Sequence, residues 1–115
     1  MFEYQGRVVN VVDGDTVDLE LDLGFGILRR DRFRLLGINA PERRGADKLR
    51  GEQATERLRA LLASAADGTV HVMTVRDKKE KYGRYLARII VQDTMGIVQD
   101  VADTLLAEGL AEPYR

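Results

Sequence analysis

Apolar and polar residues alternate with a period of two through the first third of the chain. A β-branched run over 7–12 predicts a first strand, which ends at the turn Asp13-Gly14-Asp15. The second strand is predicted by the alternating apolar residues Val17, Leu19, Leu21 and Leu23. A third is predicted over 27–37, where Phe33 and Leu35 share one face and Arg34 points to the other. These patterns together predict a meander of half-buried strands.

A helical period of 3.6 residues appears in the later segments. Helix one is predicted over 51–64 and has an apolar face made of Ala54, Leu58, Leu61 and Leu62. Strands are predicted over 70–75 and 84–91, on either side of the charged segment 76–83. Helix two is predicted from the spacing of Ile97, Val98, Val101, Ala102, Leu105 and Leu106. Gly109 is placed to end that helix.

The order of the elements is three strands, a helix, two strands and a helix. It lacks the regular strand-helix alternation of a parallel sheet, so it favours an α+β fold. Five strands in this order suit an antiparallel OB-fold-type β-barrel with two main helices. A chain of 115 residues rarely divides into two cores, and we therefore expect one domain over 1–115.

Composition narrows the class of protein. The chain is 44% hydrophobic and 32% charged, which is typical of a folded globular protein. It contains no apolar run near the roughly 20 residues of a membrane span and no recognisable targeting signal, so we expect no membrane partner. Cysteine is absent and the one histidine, His71, falls in a predicted strand, which disfavours zinc and Ser-His-Asp chemistry. Composition assigns no compartment; we expect a monomer.

Charge is distributed unevenly although the net charge is only −1. The basic segment contains Arg29, Arg30, Arg32, Arg34, Arg43, Arg44, Lys48 and Arg50. The stretch after Gln92 is acidic. A local basic surface can hold a phosphate backbone, but a charged run is as often a solvated face, so charge alone leaves both interpretations open.

Three polar segments are candidates for chemistry. The turn Asp13-Gly14-Asp15-Thr16 places carboxylates where a hard cation such as Ca²⁺ or Mg²⁺ can bind, although Asp-Gly is also a common hairpin turn. The loop 37–42 contains Pro41, which can fix oxygens of Asn39, Ala40 and Glu42 in one place, or simply make a turn. The segment 80–84 carries Lys and Arg for phosphate and Tyr82 for stacking on a base. Arg34 is either exposed or a phosphate ligand.

The motifs Asp13-Gly14-Asp15-Thr16, Phe33-Arg34-Leu35-Leu36-Gly37-Ile38-Asn39-Ala40-Pro41-Glu42 and Lys81-Tyr82-Gly83-Arg84 occur in this order. In order and spacing they resemble the signature of the thermonuclease (staphylococcal or micrococcal nuclease) family. The likeness continues into 106–111 and so covers nearly the whole chain. Each motif is weak alone, but their joint occurrence is specific. The resemblance implies a barrel with helices, which agrees with the pattern of apolar residues.

The resemblance also implies a Ca²⁺-dependent nuclease that cuts the bond between phosphorus and the 5′ oxygen of DNA or RNA and leaves 3′-phosphate ends. It implies that calcium is held by Asp15, Asn39 and the main-chain carbonyl of Ala40, with Asp13 nearby. The catalytic residues would be Arg34, Glu42 and Arg84. Substrate contacts would come from Lys81, Tyr82 and Tyr114.

One departure from the family bears on the metal. The type member of the family has Asp where this chain has Asn39, and the amide removes one negative charge, so we expect weaker calcium binding. A noncatalytic nucleic-acid-binding barrel is therefore the alternative function, and Asn39 is the observation that favours it. A structural or regulatory barrel without nucleic-acid contact is a third possibility, supported only by the near-zero net charge.

Overall fold

The computed structural model describes residues 2–76 and 85–114. Its first three strands are β1 (Phe2–Asp13), β2 (Thr16–Asp22) and β3 (Leu28–Leu35), and neighbours in this meander pair antiparallel. The predicted meander is therefore confirmed, although β1 begins earlier than expected.

The remaining elements follow the predicted order with short additions. They are β4 (Ile38–Asn39), α1 (Lys48–Ala63), β5 (Val70–Arg76), β6 (Tyr85–Gln92), β7 (Val98–Asp100), α2 (Val101–Ala107) and β8 (Glu112–Pro113). The short strands β4 and β8 pair with each other and form a separate two-stranded sheet. This small sheet was not predicted, because two-residue strands have no recognisable period.

Strands β1, β2, β3, β5 and β6 close into a barrel, which confirms an α+β fold built on a five-stranded barrel. The prediction that the barrel is antiparallel throughout is wrong at one seam, where β3 and β6 pair in parallel at Phe33 and Tyr85. The reason is geometric. Strands that alternate in direction around a closed ring can do so only if their number is even, and this ring has five.

The barrel core contains the alternating apolar residues that the sequence indicated. Val17, Leu19, Leu21, Phe33 and Leu35 are all buried, as predicted for one face of β2 and β3. Leu23 is an exception and is 38% exposed, because β2 has ended and the chain is already turning. In α1 the predicted apolar face is confirmed, since Ala54, Leu58, Leu61 and Leu62 are buried.

Both helices differ from their predicted bounds at the N-terminus. Helix α1 starts at Lys48, and α2 starts at Val101, so the prediction that Ile97 and Val98 belong to helix two is wrong. Asp93 explains the second difference, because its Oδ1 accepts hydrogen bonds from two amides of the following turn at 2.9 Å and so closes a hairpin. No helix in residues 2–76 or 85–114 combines the length and apolar character needed to cross a membrane.

The end of α2 places β8. Gly109 has a φ of 72°, which confirms that it follows the helix end as the residue in the left-handed conformation. The Leu110 amide donates to the Leu105 carbonyl at 2.9 Å, so the chain reverses tightly. Ala111 is then buried, and β8 lies antiparallel to β4. The chain thereby brings Glu112 opposite Asn39.

Candidate functional site

Asp15 is a buried carboxylate that ties the β1–β2 turn to the loop after β4. Only 6% of the residue is exposed. Its Oδ1 accepts a hydrogen bond from the Thr16 hydroxyl at 2.9 Å, and its Oδ2 accepts one from the Ala40 amide at 2.8 Å. Gly14 allows this approach, because a Cβ there would lie 2.7 Å from the Ala54 Cβ. The turn is therefore packed against both α1 and the loop.

Asp13 lies beside Asp15 in a half-buried position. Its Oδ1 accepts a hydrogen bond from the Asp15 amide at 3.1 Å. Burial, followed by the hydrogen bond and the negative charge of Asp15, raises the pKa of Asp13 from 3.8 to about 6. A carboxyl group whose ionisation is disfavoured by burial and by a neighbouring carboxylate marks a place where a cation would be favourable.

Asp13→Asn is expected to stabilise the cation-free chain at neutral pH. The folded-state pKa of about 6 exceeds the ordinary value of 3.8, so the folded chain binds this proton more tightly than the unfolded chain. Stability therefore falls as the pH rises through this window, and removing the carboxylate should recover it. Thermal unfolding with chelator should show a gain in Tm near pH 8 and little change near pH 4, as linkage requires. An equal difference at both pH values would contradict the assignment.

Arg34 lies among the predicted metal ligands. Its Nη2 donates to Asn39 Oδ1 at 2.8 Å and lies 3.7 Å from Asp15 Oδ2. The guanidinium carbon is 4.7 Å from the centre of the Tyr114 ring. Only 15% of the Arg34 side chain is exposed, so of the two possibilities that the sequence left open, a freely exposed arginine is excluded.

The other arginines of β3 have acidic partners on the barrel surface. Arg32 donates two hydrogen bonds to the Asp18 carboxylate, at 2.8 and 3.2 Å, and Arg30 contacts Glu20 at 2.8 Å. The register explains both pairs, because each arginine lies directly opposite its acid on β2. The basic character of β3 is thus largely neutralised locally, and Arg34 differs from its neighbours in facing the predicted site.

Glu42 borders two cavities. One has a volume of about 650 Å³ and is lined by Val12, Asp13, Glu42, Arg43, Arg44 and Glu52. The other has a volume of about 310 Å³ and is lined by Asn39, Ala40, Pro41, Glu42, Asp47, Arg50 and Glu112. Glu42 is exposed, so its carboxylate is open to water. It stands between the Asp13 side of the site and the side that carries Asn39 and Ala40.

Gly51 packs closely against the backbone of Glu42. A Cβ at position 51 would lie 2.2 Å from the Glu42 carbonyl oxygen and 2.8 Å from the Arg43 amide nitrogen, so only glycine fits at this position of α1. Arg43 also ties the loop to β1 by donating a hydrogen bond to the Val12 carbonyl at 2.8 Å. Sequence reasoning did not identify Gly51 as a site residue, although a glycine inside a helical pattern is a signal of close packing.

The structure brings several predicted site residues together. Asp15, Asn39 and Arg34 meet around one guanidinium nitrogen, and the Ala40 amide contacts Asp15. Asp13 lines a cavity with Glu42. Tyr114 contacts Arg34. The predicted residues Lys81, Tyr82 and Arg84 lie outside the described residues.

The donor set fits a hard cation. Carboxylate, amide and carbonyl oxygens are the ligands that Ca²⁺ and Mg²⁺ use, and each oxygen of Asp15 has a further lone pair beyond its hydrogen bond. Within 2–76 and 85–114, no three His, Cys, Asp or Glu side chains are grouped closely enough to hold a metal ion. A cation here would therefore depend on the Asn39 amide and the Ala40 carbonyl as well as on carboxylates.

Acidic oxygens, an arginine and an exposed glutamate lie close together in this barrel. Such a site is suited to binding a phosphate ester and a cation. The family model of the staphylococcal nuclease homologues matches residues 32–115. The chain belongs to the staphylococcal nuclease homologue family.

Individual relatives extend the comparison. Protein ParB of Escherichia coli is 30% identical over 98% of this chain and 59% of its own length. An uncharacterized endonuclease of Escherichia coli O157:H7 is 30% identical over 84% of this chain and 55% of its own. Endonuclease YhcR of Bacillus subtilis (strain 168) is 34% identical over 97% of this chain, which corresponds to 9% of YhcR. The chain thus spans little more than half of the first two relatives and a small part of the third.

Proposed function

We propose that this chain is a calcium-dependent nuclease that hydrolyses phosphodiester bonds of DNA or RNA at the 5′-O–P bond and leaves 3′-phosphate ends. The observation that carries the proposal is the position of Glu42, an exposed carboxylate between two cavities, one beside Asp13 and the other beside Asn39 and Ala40. Family membership and the word endonuclease in the names of two relatives support it.

Each residue has a role that its surroundings permit. Glu42 accepts a proton from the attacking water at its carboxylate, which is open to solvent. Arg34 donates its planar pair of N–H groups to the phosphate oxygens, and it does so by exchanging its hydrogen bond to Asn39 Oδ1. Because its side chain is largely shielded, that charge acts on the phosphate with little screening by water. Arg84 as a second phosphate ligand, and Lys81 and Tyr82 as substrate contacts, are proposed from the motif alone.

Asp15, Asn39 and the Ala40 carbonyl would hold the calcium ion, with Asp13 next to them. When bound, calcium supplies Lewis-acid polarisation of the phosphodiester and orients it for in-line attack. The protein residues meanwhile keep the site rigid: Thr16 and the Ala40 amide each donate a hydrogen bond to the Asp15 carboxylate, so its orientation is set before any ion arrives.

A noncatalytic nucleic-acid-binding domain is the second candidate. One observation favours it: Asn39 Oδ1, a proposed metal ligand without charge, already accepts a hydrogen bond from Arg34. In this alternative Arg34 is a permanent cation that substitutes for the metal. For both candidate functions we further propose that residues 1–115 form one domain and that the chain is a monomer.

The proposal is tested by incubating denatured DNA with the purified chain in calcium, in magnesium and in chelator. We expect cleavage in calcium, none in chelator, and products that a phosphatase specific for 3′ ends converts to free hydroxyls. A filter-binding measurement in chelator serves as the control. Binding without cleavage in any cation, by a chain that unfolds cooperatively, would establish the noncatalytic alternative, and 5′-phosphate products would contradict the proposed bond.

A further inference from the structure

Tyr114 and Arg34 form a stacked pair at the edge of the site. The guanidinium carbon lies 4.7 Å from the ring centre, within the range of a cation–π contact. Arg34 Nη2 also donates a hydrogen bond to Asn39 Oδ1 at 2.8 Å. We propose that Tyr114 is a positioning residue that holds the Arg34 guanidinium in place for the phosphate; this inference rests on the proposed function.

The main chain holds the tyrosine independently of its ring. The Tyr114 amide donates to the Gly37 carbonyl at 2.9 Å, and the preceding strand β8 pairs with β4, the strand that carries Asn39. Both residues are therefore placed by the same strand pair: Asn39 lies in β4, and Tyr114 directly follows β8. A guanidinium that is already stacked on an aromatic ring loses less conformational entropy when it binds phosphate than a free arginine does.

Tyr114 was predicted as a substrate contact, and that role leads to different kinetics. The residue is 57% exposed, so a base can also reach its ring. A ring that only stacks on a base contributes equally to the ground state and the transition state, and its loss raises KM. A ring that positions Arg34 acts on charge that develops in the transition state, and its loss lowers kcat.

The test compares Tyr114→Leu with Tyr114→Phe, because phenylalanine keeps the aromatic face and leucine does not. We expect Tyr114→Leu to lower kcat roughly tenfold with KM nearly unchanged, and Tyr114→Phe to restore most of kcat. In an Arg34→Met background, Tyr114→Leu should have no further effect on kcat. Phe25→Leu is the matched control, since Phe25 is a fully exposed aromatic residue on the β2–β3 turn, and it should leave both constants unchanged.

A second readout does not depend on cleavage. The Arg34 side-chain Nε–H resonance, identified by its loss in Arg34→Lys, is recorded in chelator without substrate. We expect the ring to shift this proton upfield, and the shift to disappear in Tyr114→Leu but persist in Tyr114→Phe. An unchanged resonance in Tyr114→Leu would overturn the inference, as would a rise in KM at constant kcat. If the wild-type chain cuts no DNA, the proposed function fails while this resonance still decides the role of Tyr114.

Discussion

Glu42→Gln is expected to lower kcat by roughly 10²–10⁴-fold, the usual contribution of a general base. The amide keeps the size of the side chain and its place between the two cavities, but it cannot accept the proton of the attacking water. Because Glu42 is exposed, its replacement should leave the free energy of unfolding nearly unchanged. The measurement is the initial rate of cleavage of denatured DNA in saturating calcium, together with a thermal unfolding curve.

Glu52→Gln is the matched control for this prediction. Glu52 lies on α1 and lines the same 650 Å³ cavity as Glu42, but it does not line the cavity beside Asn39 and Ala40. The same change of charge at this position should alter kcat by no more than about threefold, as expected for a residue outside the transition state. Calcium titration should give similar affinities for both variants. Equal loss of activity in the two would show that only the charge of the cavity matters, and Glu42 would lose its proposed role.

Gly51→Ala is expected to reduce both stability and activity. Helix propensity alone would predict the opposite effect on stability. Replacing an exposed glycine within a helix with alanine usually stabilises the protein by up to about 1 kcal/mol. Here the new methyl group would lie 2.2 Å from the Glu42 carbonyl oxygen, so the loop has to move away from α1. Overpacking of this kind costs about 1–3 kcal/mol. Displacement of the Glu42 carboxylate should lower kcat roughly 10²-fold, because misplacing a catalytic group by about 1 Å has an effect of this size.

The effects on stability and on activity can be separated. Denaturant unfolding gives the loss of stability, and kcat is measured at low temperature, where the variant remains folded. Gln53→Ala, at an exposed position two residues along the same helix, is the control and should change neither quantity appreciably. A Gly51→Ala variant as stable and active as the parent would mean that the loop has room that the structure does not show.

Much of the fold was predictable because burial leaves a period in the sequence. The alternation of Val17, Leu19 and Leu21 and the helical spacing of Ala54, Leu58 and Leu61 each identify a buried face. The parallel seam was missed because pairing between distant strands leaves no local pattern. The start of α2 was missed because Ile97 and Val98 fit a helical period, whereas the hydrogen bonds of the Asp93 side chain form a hairpin turn there.

The candidate site was predictable only as a set of motifs. Asp15, Asn39 and Arg34 were identified as site residues, and they do come together, but their roles stay predictions. The contact of Tyr114 with Arg34 was not foreseen, because it depends on the two-residue pairing of β8 with β4. Gly51 was not foreseen either, because the backbone that it supports lies in a different segment of the chain. These contacts form between segments that are distant in the sequence, so the spacing of residues along the chain does not indicate them.

The parallel seam between β3 and β6 has a consequence for the order of folding. Arg34 lies within this seam, opposite Leu86, and the two strands are separated along the chain by α1 and β5. Closing so long a loop is entropically slow, so the meander and the β5–β6 hairpin should form before the ring closes. In a chain that has collapsed before β3 and β6 pair, Arg34 would lack its neighbours on β6. Recovery of catalysis after dilution from denaturant would then report the final closure of the barrel, while helical circular dichroism would report earlier events.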